Sequence, residues 1–147
     1  MPTVPPSWRP CDPFPELKPK RSFVNDSIPN DRLRVAYYRD ANEPGIAAKA
    51  WFGPGAEGPP GYAHGGSIAA VLDEALGAAA WLDGHHAVVA RLAIDLREMV
   101  PIGIDATVRS FVERVDGRKV YCRARLTDGK TLLAEGEALC ITLRSFP

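Results

Sequence analysis

GGSIAAVLDEALGAAAWL, residues 65–82, is the stretch on which the fold turns. Ile68, Val71, Leu72, Ala75, Leu76 and Ala79 recur at helical spacing and form one apolar stripe. The spacing predicts a helix over 67–82, fronted by Gly65 and Gly66. The rest of its surface is unusual. Ala69, Ala70, Gly77 and Ala80 share a second face, and Asp73 sits among them. Apart from Asp73 and Glu74 the helix is small or apolar all round, so burial on most sides is expected.

Outward from the helix, the flanks read as strands. Upstream, 32–40 and 46–52 are two short β-like runs separated by the turn signal Asn42-Glu43-Pro44-Gly45. The glycine- and proline-rich segment 53–61 is a loop that delivers the chain to Tyr62-Ala63-His64. Downstream, Val88, Ala90, Leu92, Ile94 and Leu96 alternate with Val89, Arg91, Ala93, Asp95 and Arg97, which predicts a half-buried strand with the first set on one face. Asp116-Gly117 and Asp128-Gly129 are hairpin turns between further β-like runs, and the last strand covers about 131–143. An antiparallel sheet must cover one face, and a single apolar helix is the object available to cover it. The expected fold class is α+β, an antiparallel sheet of about five or six strands wrapped around one long central helix. Residues 1–30 hold eight prolines, which exclude a regular helix or central strand there. They form an N-terminal arm, loosely attached or pinned as a lid by Trp8, Phe14 and Phe23. Residues 31–147 form a single domain.

Bulk properties narrow the function. A chain of 147 residues supports one compact core. Eighteen basic residues balance eighteen acidic ones, so no net charge draws the protein to nucleic acid or anionic lipid. No apolar run reaches the roughly 18–20 residues of a membrane span, and the proline-broken N-terminus lacks a secretory apolar region. Cys11, Cys122 and Cys140 make no CxxC pair and cannot all pair with one another. That pattern suits free thiols in a reducing cytosol. A cytoplasmic protein without nucleic-acid or membrane partners is expected.

The chemistry concentrates at the helix. Glycines at a helix start allow close backbone approach, and the free N–H groups there suit a developing oxyanion, although a double glycine also serves a tight entry turn. Asp73 on a face of alanines and glycine is a candidate base or nucleophile, because desolvation raises a carboxyl pKa toward the working range. A solvated Asp or a structural ion pair is the plainer alternative; Glu74 is the second candidate. Eight residues separate Gly65 from Asp73, about 12 Å along a helix. A donor and a base acting on one carbonyl must both lie within about 3 Å of the reacting atoms. One copy of the helix cannot supply both, so catalysis here requires a dimer. Ser67 lacks the GxSxG setting of a serine esterase and is explained as a helix cap. His85 and His86 with His64 show no zinc-site spacing.

Gly58-Pro59-Pro60-Gly61-Tyr62-Ala63-His64-Gly65-Gly66-Ser67, with Asp73 nine residues after His64, resembles the PaaI-like branch of hotdog-fold acyl-CoA thioesterases over roughly 32–143. The resemblance implies a hotdog fold and hydrolysis of an acyl thioester by a homodimer or dimer of dimers. It implies that Gly65 offers its N–H to the thioester carbonyl and that Asp73, from the neighbouring subunit, attacks or activates water. His64 orients the loop or contacts the carbonyl, and Gly66 and Val89 line the substrate site. No metal or cofactor is implied; coenzyme A enters as part of the substrate. Arg97, Arg118 and Lys119 are candidate contacts for its phosphates. One departure stands out. Many relatives carry Thr or Ser where Val89 stands, and residues 68–106 contain no Ser, Thr or Tyr. Either the water is held by another group, such as His85 or His86, or turnover is slow. The alternatives are a non-catalytic acyl-CoA or lipid-binding module and an acyl hydratase or dehydratase.

Overall fold

The computed structural model describes residues 3–16, 22–26 and 29–145. Residues 1, 2, 17–21, 27 and 28 of the proline-rich arm lie outside that set. Among the described residues, one seven-stranded antiparallel sheet surrounds one α-helix. The strands are β1 (Trp8–Pro10), β2 (Leu33–Asp40), β3 (Ile46–Phe52), β4 (Ala87–Leu96), β5 (Asp105–Asp116), β6 (Lys119–Asp128) and β7 (Thr131–Thr142). Helix α1 spans Gly65–Leu82, two residues longer at its start than the periodicity predicts. Spatial order is β1-β2-β3-β5-β6-β7-β4.

The seventh strand is β1, three residues of the arm paired to the far side of β2. Its sequence explains why it stays at the edge. Pro10 has no N–H to offer a further neighbour, and a three-residue strand offers little edge to pair with. Trp8 buries its ring against Tyr38, with centroids 5.4 Å apart, and its indole N–H donates to Asp40 at 3.2 Å.

The predicted stripe of α1 is buried to the last residue: Ile68, Val71, Leu72, Ala75, Leu76 and Ala79 pack on the concave side of the sheet. Burial of a side chain such as Leu72 or Leu76 contributes about 1.5–3 kcal/mol. The opposite face departs from expectation. Ala80 is buried, but Ala69, Ala70, Asp73 and Gly77 are only half-buried and look into a cavity.

Strand β4 corrects a second expectation. Its register against β7 shifts between Val89 and Arg91. Ala90 is the extra residue of a bulge, and a bulge reverses which residues point inward. Val89 pairs with Cys140, Leu92 with Ala138 and Leu96 with Ala134, all three partners buried. Val89, Leu92, Ile94 and Leu96 therefore share the helix side, and Val88 takes the opposite parity. Unbroken alternation would have put Val88 with Leu92 and Val89 with Arg91. Among the described residues no helix is long and apolar enough to cross a membrane.

Candidate active site

The loop before α1 is folded tightly by its own backbone. Gly58 donates to the Tyr62 carbonyl at 2.9 Å, Ala63 to Val100 at 2.8 Å and His64 to Ala56 at 2.7 Å. Two glycines make this possible. Gly61 has φ +85°, the left-handed region that favours glycine. A Cβ on Gly58 would lie 2.8 Å from the His64 Cα, so a larger residue would push the loop off the helix start.

His64 is the N-cap of α1. Its Nδ1 accepts the Gly66 N–H at 2.8 Å, which leaves the ring proton on Nε2. Ser67, expected to cap, instead donates its hydroxyl to the His64 carbonyl at 2.6 Å. The Gly65 N–H is then the first orphan donor of the helix. It has no acceptor among the described residues, whereas the next N–H is taken by the cap.

Asp73 lies two turns further on, about 12 Å along the axis. It is half-buried, and desolvation holds its carboxyl above the usual aspartate range. Glu74 beside it is also raised by desolvation, opposed by hydrogen bonds from the Tyr37 hydroxyl at 2.7 Å and from Ser22 at 3.5 Å. Burial in turn pushes the Tyr37 phenol well above its ordinary value, reinforced by the Glu74 charge. Both carboxyls line a cavity of about 800 Å³. Its helix side is Gly66, Ala69, Ala70, Asp73, Gly77 and Trp81; Val89 and Leu92 of β4 form one flank. The N-terminal arm forms the other with Phe14, Val24 and Asn25.

Of the residues singled out from the sequence, the cavity brings together Gly66, Asp73 and Val89, with Glu74. Gly65 and His64 are not in its lining; they sit at the start of the helix next to Gly66, where Leu96 comes within 3.2 Å of the point a Gly65 Cβ would occupy. The cations do not converge within one chain. Arg97 follows β4 and reaches Glu135 at 3.3 Å, near the start of α1. Arg118 donates to the Thr142 carbonyl at 3.1 and 3.0 Å, and Lys119 pairs with Ile141, at the other end of β4. The two ends are about 30 Å apart for a ten-residue strand. His85 and His86 lie beyond the C-terminus of α1, outside the cavity lining; His86 stacks on Trp81 at 4.6 Å. Tyr37, Ser22 and Asn25 carry no local signal in the sequence, because each reaches the site across a long loop of chain.

The geometry has recognisable company. Residues 60–135 match the family model described as Thioesterase superfamily. Acyl-coenzyme A thioesterase THEM4 of Xenopus laevis is 40% identical over 93 residues, 62% of this chain and 42% of that protein. Acyl-coenzyme A thioesterase THEM5 of Mus musculus is 35% identical over 94 residues, 63% of this chain and 38% of that protein. The chain thus spans about two-fifths of the length of the curated relatives it matches. Among solved structures, a Streptococcus mutans protein bound to acetyl-CoA superposes with a TM-score of 0.68 at 17% identity, covering 87% of this chain and 96% of that one. The Escherichia coli PaaI protein from the phenylacetic acid degradation operon gives 0.66 at 14% identity, covering 76% and 79%. At such identities the likeness shows the fold alone, a sheet wrapped on one helix. With the matched segment running from the loop before α1 into β7, the chain belongs to the thioesterase superfamily.

Proposed function

We propose that the chain hydrolyses acyl-CoA thioesters to free acid and CoA. The observation that carries this reading is the orphan Gly65 N–H and the desolvated Asp73, placed on one helix whose small face opens on a cavity. The Gly65 N–H receives the negative charge that develops on the thioester oxygen, helped by the positive end of the helix dipole. Asp73 takes a proton from the attacking water, or attacks the carbonyl itself. The carbon–sulfur bond then breaks and CoA leaves as its thiol after taking up a proton; where Asp73 is the nucleophile, water then cleaves the acyl–Asp73 anhydride to release the acid.

The separation along α1 requires two copies of the chain. The sheet edges support that assembly. One edge ends in short, proline-closed β1. The other is the full ten-residue β4, unpaired on its outer side among the described residues. Among the described residues, Val88, Leu92, Leu96 and nearby Met99 are four of the eight large apolar residues left exposed. An open strand with such flanks is a template for pairing. Antiparallel pairing of two β4 edges in a homodimer, alone or within a dimer of dimers, would bring Gly65 of one copy toward Asp73 of the other. It would also bring Arg97 of one copy to the end where Arg118 and Lys119 of the other lie, giving the CoA phosphates a shared cationic patch. Three free thiols fit a cytoplasmic enzyme.

Val89 in the cavity wall, with no hydroxyl to hold water, favours a second reading, acyl-CoA binding without turnover. The hydratase alternative loses ground because His64 has its Nδ1 committed to the cap and stands outside the cavity lining. Thiol release from a panel of short, medium, long and aromatic acyl-CoAs, with wild type beside Asp73→Asn, decides. Turnover that falls by about 10²-fold or more in the variant while acyl-CoA binding survives is the expected result. Binding without thiol release in the wild type would overturn the hydrolase reading.

A further inference from the structure

We infer that Gly77 keeps open an acyl channel running from Asp73 along α1, and that the N-terminal arm closes this channel with a wall at Phe14 and Trp81. The inference rests on the thioesterase reading in one respect: Asp73 marks where the thioester carbonyl sits.

Gly77 lies in the middle of α1, where glycine weakens a helix relative to alanine. No turn or close approach within the chain accounts for it. Its φ is not positive, and a Cβ built on it would meet nothing within 4 Å. The other glycines facing helix or loop neighbours are crowded: a Cβ on Gly136 would lie 2.8 Å from Ile94, and one on Gly66 2.9 Å from His64. Gly77 alone among these leaves empty space, and that space is the cavity.

Asp73, Gly77 and Trp81 are four residues apart and share one helix face. Beyond Gly77 the channel ends on aromatic rings. Phe14 meets Trp81 edge-on with centroids 5.7 Å apart, and the Trp81 indole N–H is tied to the Ala87 carbonyl at 2.8 Å. The side wall is equally fixed. Asn25 pairs with Val35 through both ends of its amide, accepting from the Val35 N–H at 2.7 Å and donating to its carbonyl at 3.2 Å. This clip places Val24 and Asn25 against the cavity. Both arm segments precede residue 60, outside the matched family segment.

The helix converts these positions into lengths. Asp73 to Trp81 is about 12 Å and Asp73 to Gly77 about 6 Å. An extended chain advances about 1.2 Å per bond, taking the backbone's three bonds per residue as the measure. The open channel therefore takes acyl chains of about ten carbons, and a side chain at position 77 would cut this to about five. Each buried methylene is worth roughly fourfold in binding, so the cut is measurable.

The test is kcat/KM for saturated acyl-CoAs from four to sixteen carbons, using wild type, Gly77→Leu, Gly77→Ala and Phe14→Ala, with thermal melts to check folding. In the wild type, kcat/KM rises with length to about ten carbons and then falls. Gly77→Leu lowers the ratio of the ten-carbon to the four-carbon substrate by about tenfold or more, and Gly77→Ala lowers it less. Phe14→Ala shifts the maximum to longer chains. A folded Gly77→Leu with an unchanged ratio overturns the inference. So does a wild type that handles sixteen carbons as well as ten. If Gly77→Leu does not fold, the Gly77→Ala and Phe14→Ala profiles decide in the same sense. Absence of thiol release at every length would count against the hydrolase reading instead. The length series is then read as calorimetric Kd values for the same acyl-CoAs, where the same ratios support or overturn the channel.

Discussion

Asp73 is held in a state that costs the protein stability. Desolvation raises its carboxyl pKa in the folded chain. A raised acid binds its proton more readily when folded. Its contribution to stability is therefore fully present below the unfolded value, near 3.9, and is lost as pH rises through the folded value. At neutral pH the buried charge is a net burden, of the kind that reactive sites carry elsewhere in the molecule's interest. Asp73→Asn removes the charge and keeps the shape. The variant should melt higher than wild type at pH 7, and the gap should close below about pH 4, as both side chains become neutral. Melting curves across that range check it; a constant gap would mean that charge is not the cause. Glu74 is raised too, by desolvation and in smaller part by the Asp73 charge, so Asp73→Asn relieves it as well and adds to the gap in the same direction. Asp73 was legible in the sequence because an aspartate among Ala69, Ala70 and Gly77 breaks a local rule of helix composition. The Tyr37 hydroxyl on Glu74 was not: the two residues are 37 positions apart, and only the closed sheet brings them together.

At the scale of elements, helix and strands differ in how much of them a sequence carries. The start of α1 is written locally, in glycines and a histidine, but the capping partner was misassigned to Ser67. A serine at a helix start is the commoner cap, and His64 takes the role only because its Nδ1 folds back on Gly66. The cap gives a prediction. His64→Ala should destabilise the protein by about 1 kcal/mol, and His64→Asn, a good capping residue, should restore most of that. If His64 also touches the thioester carbonyl, activity will not return with stability; urea melts beside kcat/KM separate the two roles. If Asn recovers both, His64 only fixes the helix start. Strand β4 shows the opposite limit. Its composition announces a strand, but nothing in Val88-Val89-Ala90-Arg91 marks the bulge. Both parities are apolar there, so alternation alone could not say which of Val88 and Val89 turns inward. The pairing with Cys140 and Ala138 decides it. The bulge turns Val89 toward the helix, but the flank lacks a hydroxyl whichever valine turns inward, because neither carries one.

For the whole molecule, the reading stands or falls on whether two chains complete one site. The sequence reached the dimer by distance alone, through eight helical residues between donor and base. The free edge of β4 supplies a surface that composition could not locate. A complementation experiment tests the assembly directly. Gly65→Pro removes the donor N–H while sparing the helix, because proline suits the first helical position. His64 already has φ −63° and ψ 137°, the extended geometry that a residue before proline adopts. Asp73→Asn removes the base. Each variant alone should be nearly inactive. In a mixed dimer, one site pairs the intact Gly65 of one chain with the intact Asp73 of the other, while the second site lacks both groups. Random co-assembly gives about half mixed dimers with one working site of two, so the unfractionated mixture should recover about a quarter of wild-type activity and purified mixed dimers about half. Coexpression under two affinity tags, followed by thiol-release assays on purified mixed dimers, reads this out. If donor and base belonged to the same chain, both sites of the mixed dimer would remain broken and no activity would return. Recovery would locate the reacting carbonyl between two helices and explain why the face of α1 around Asp73 is built from residues small enough for a second copy to approach.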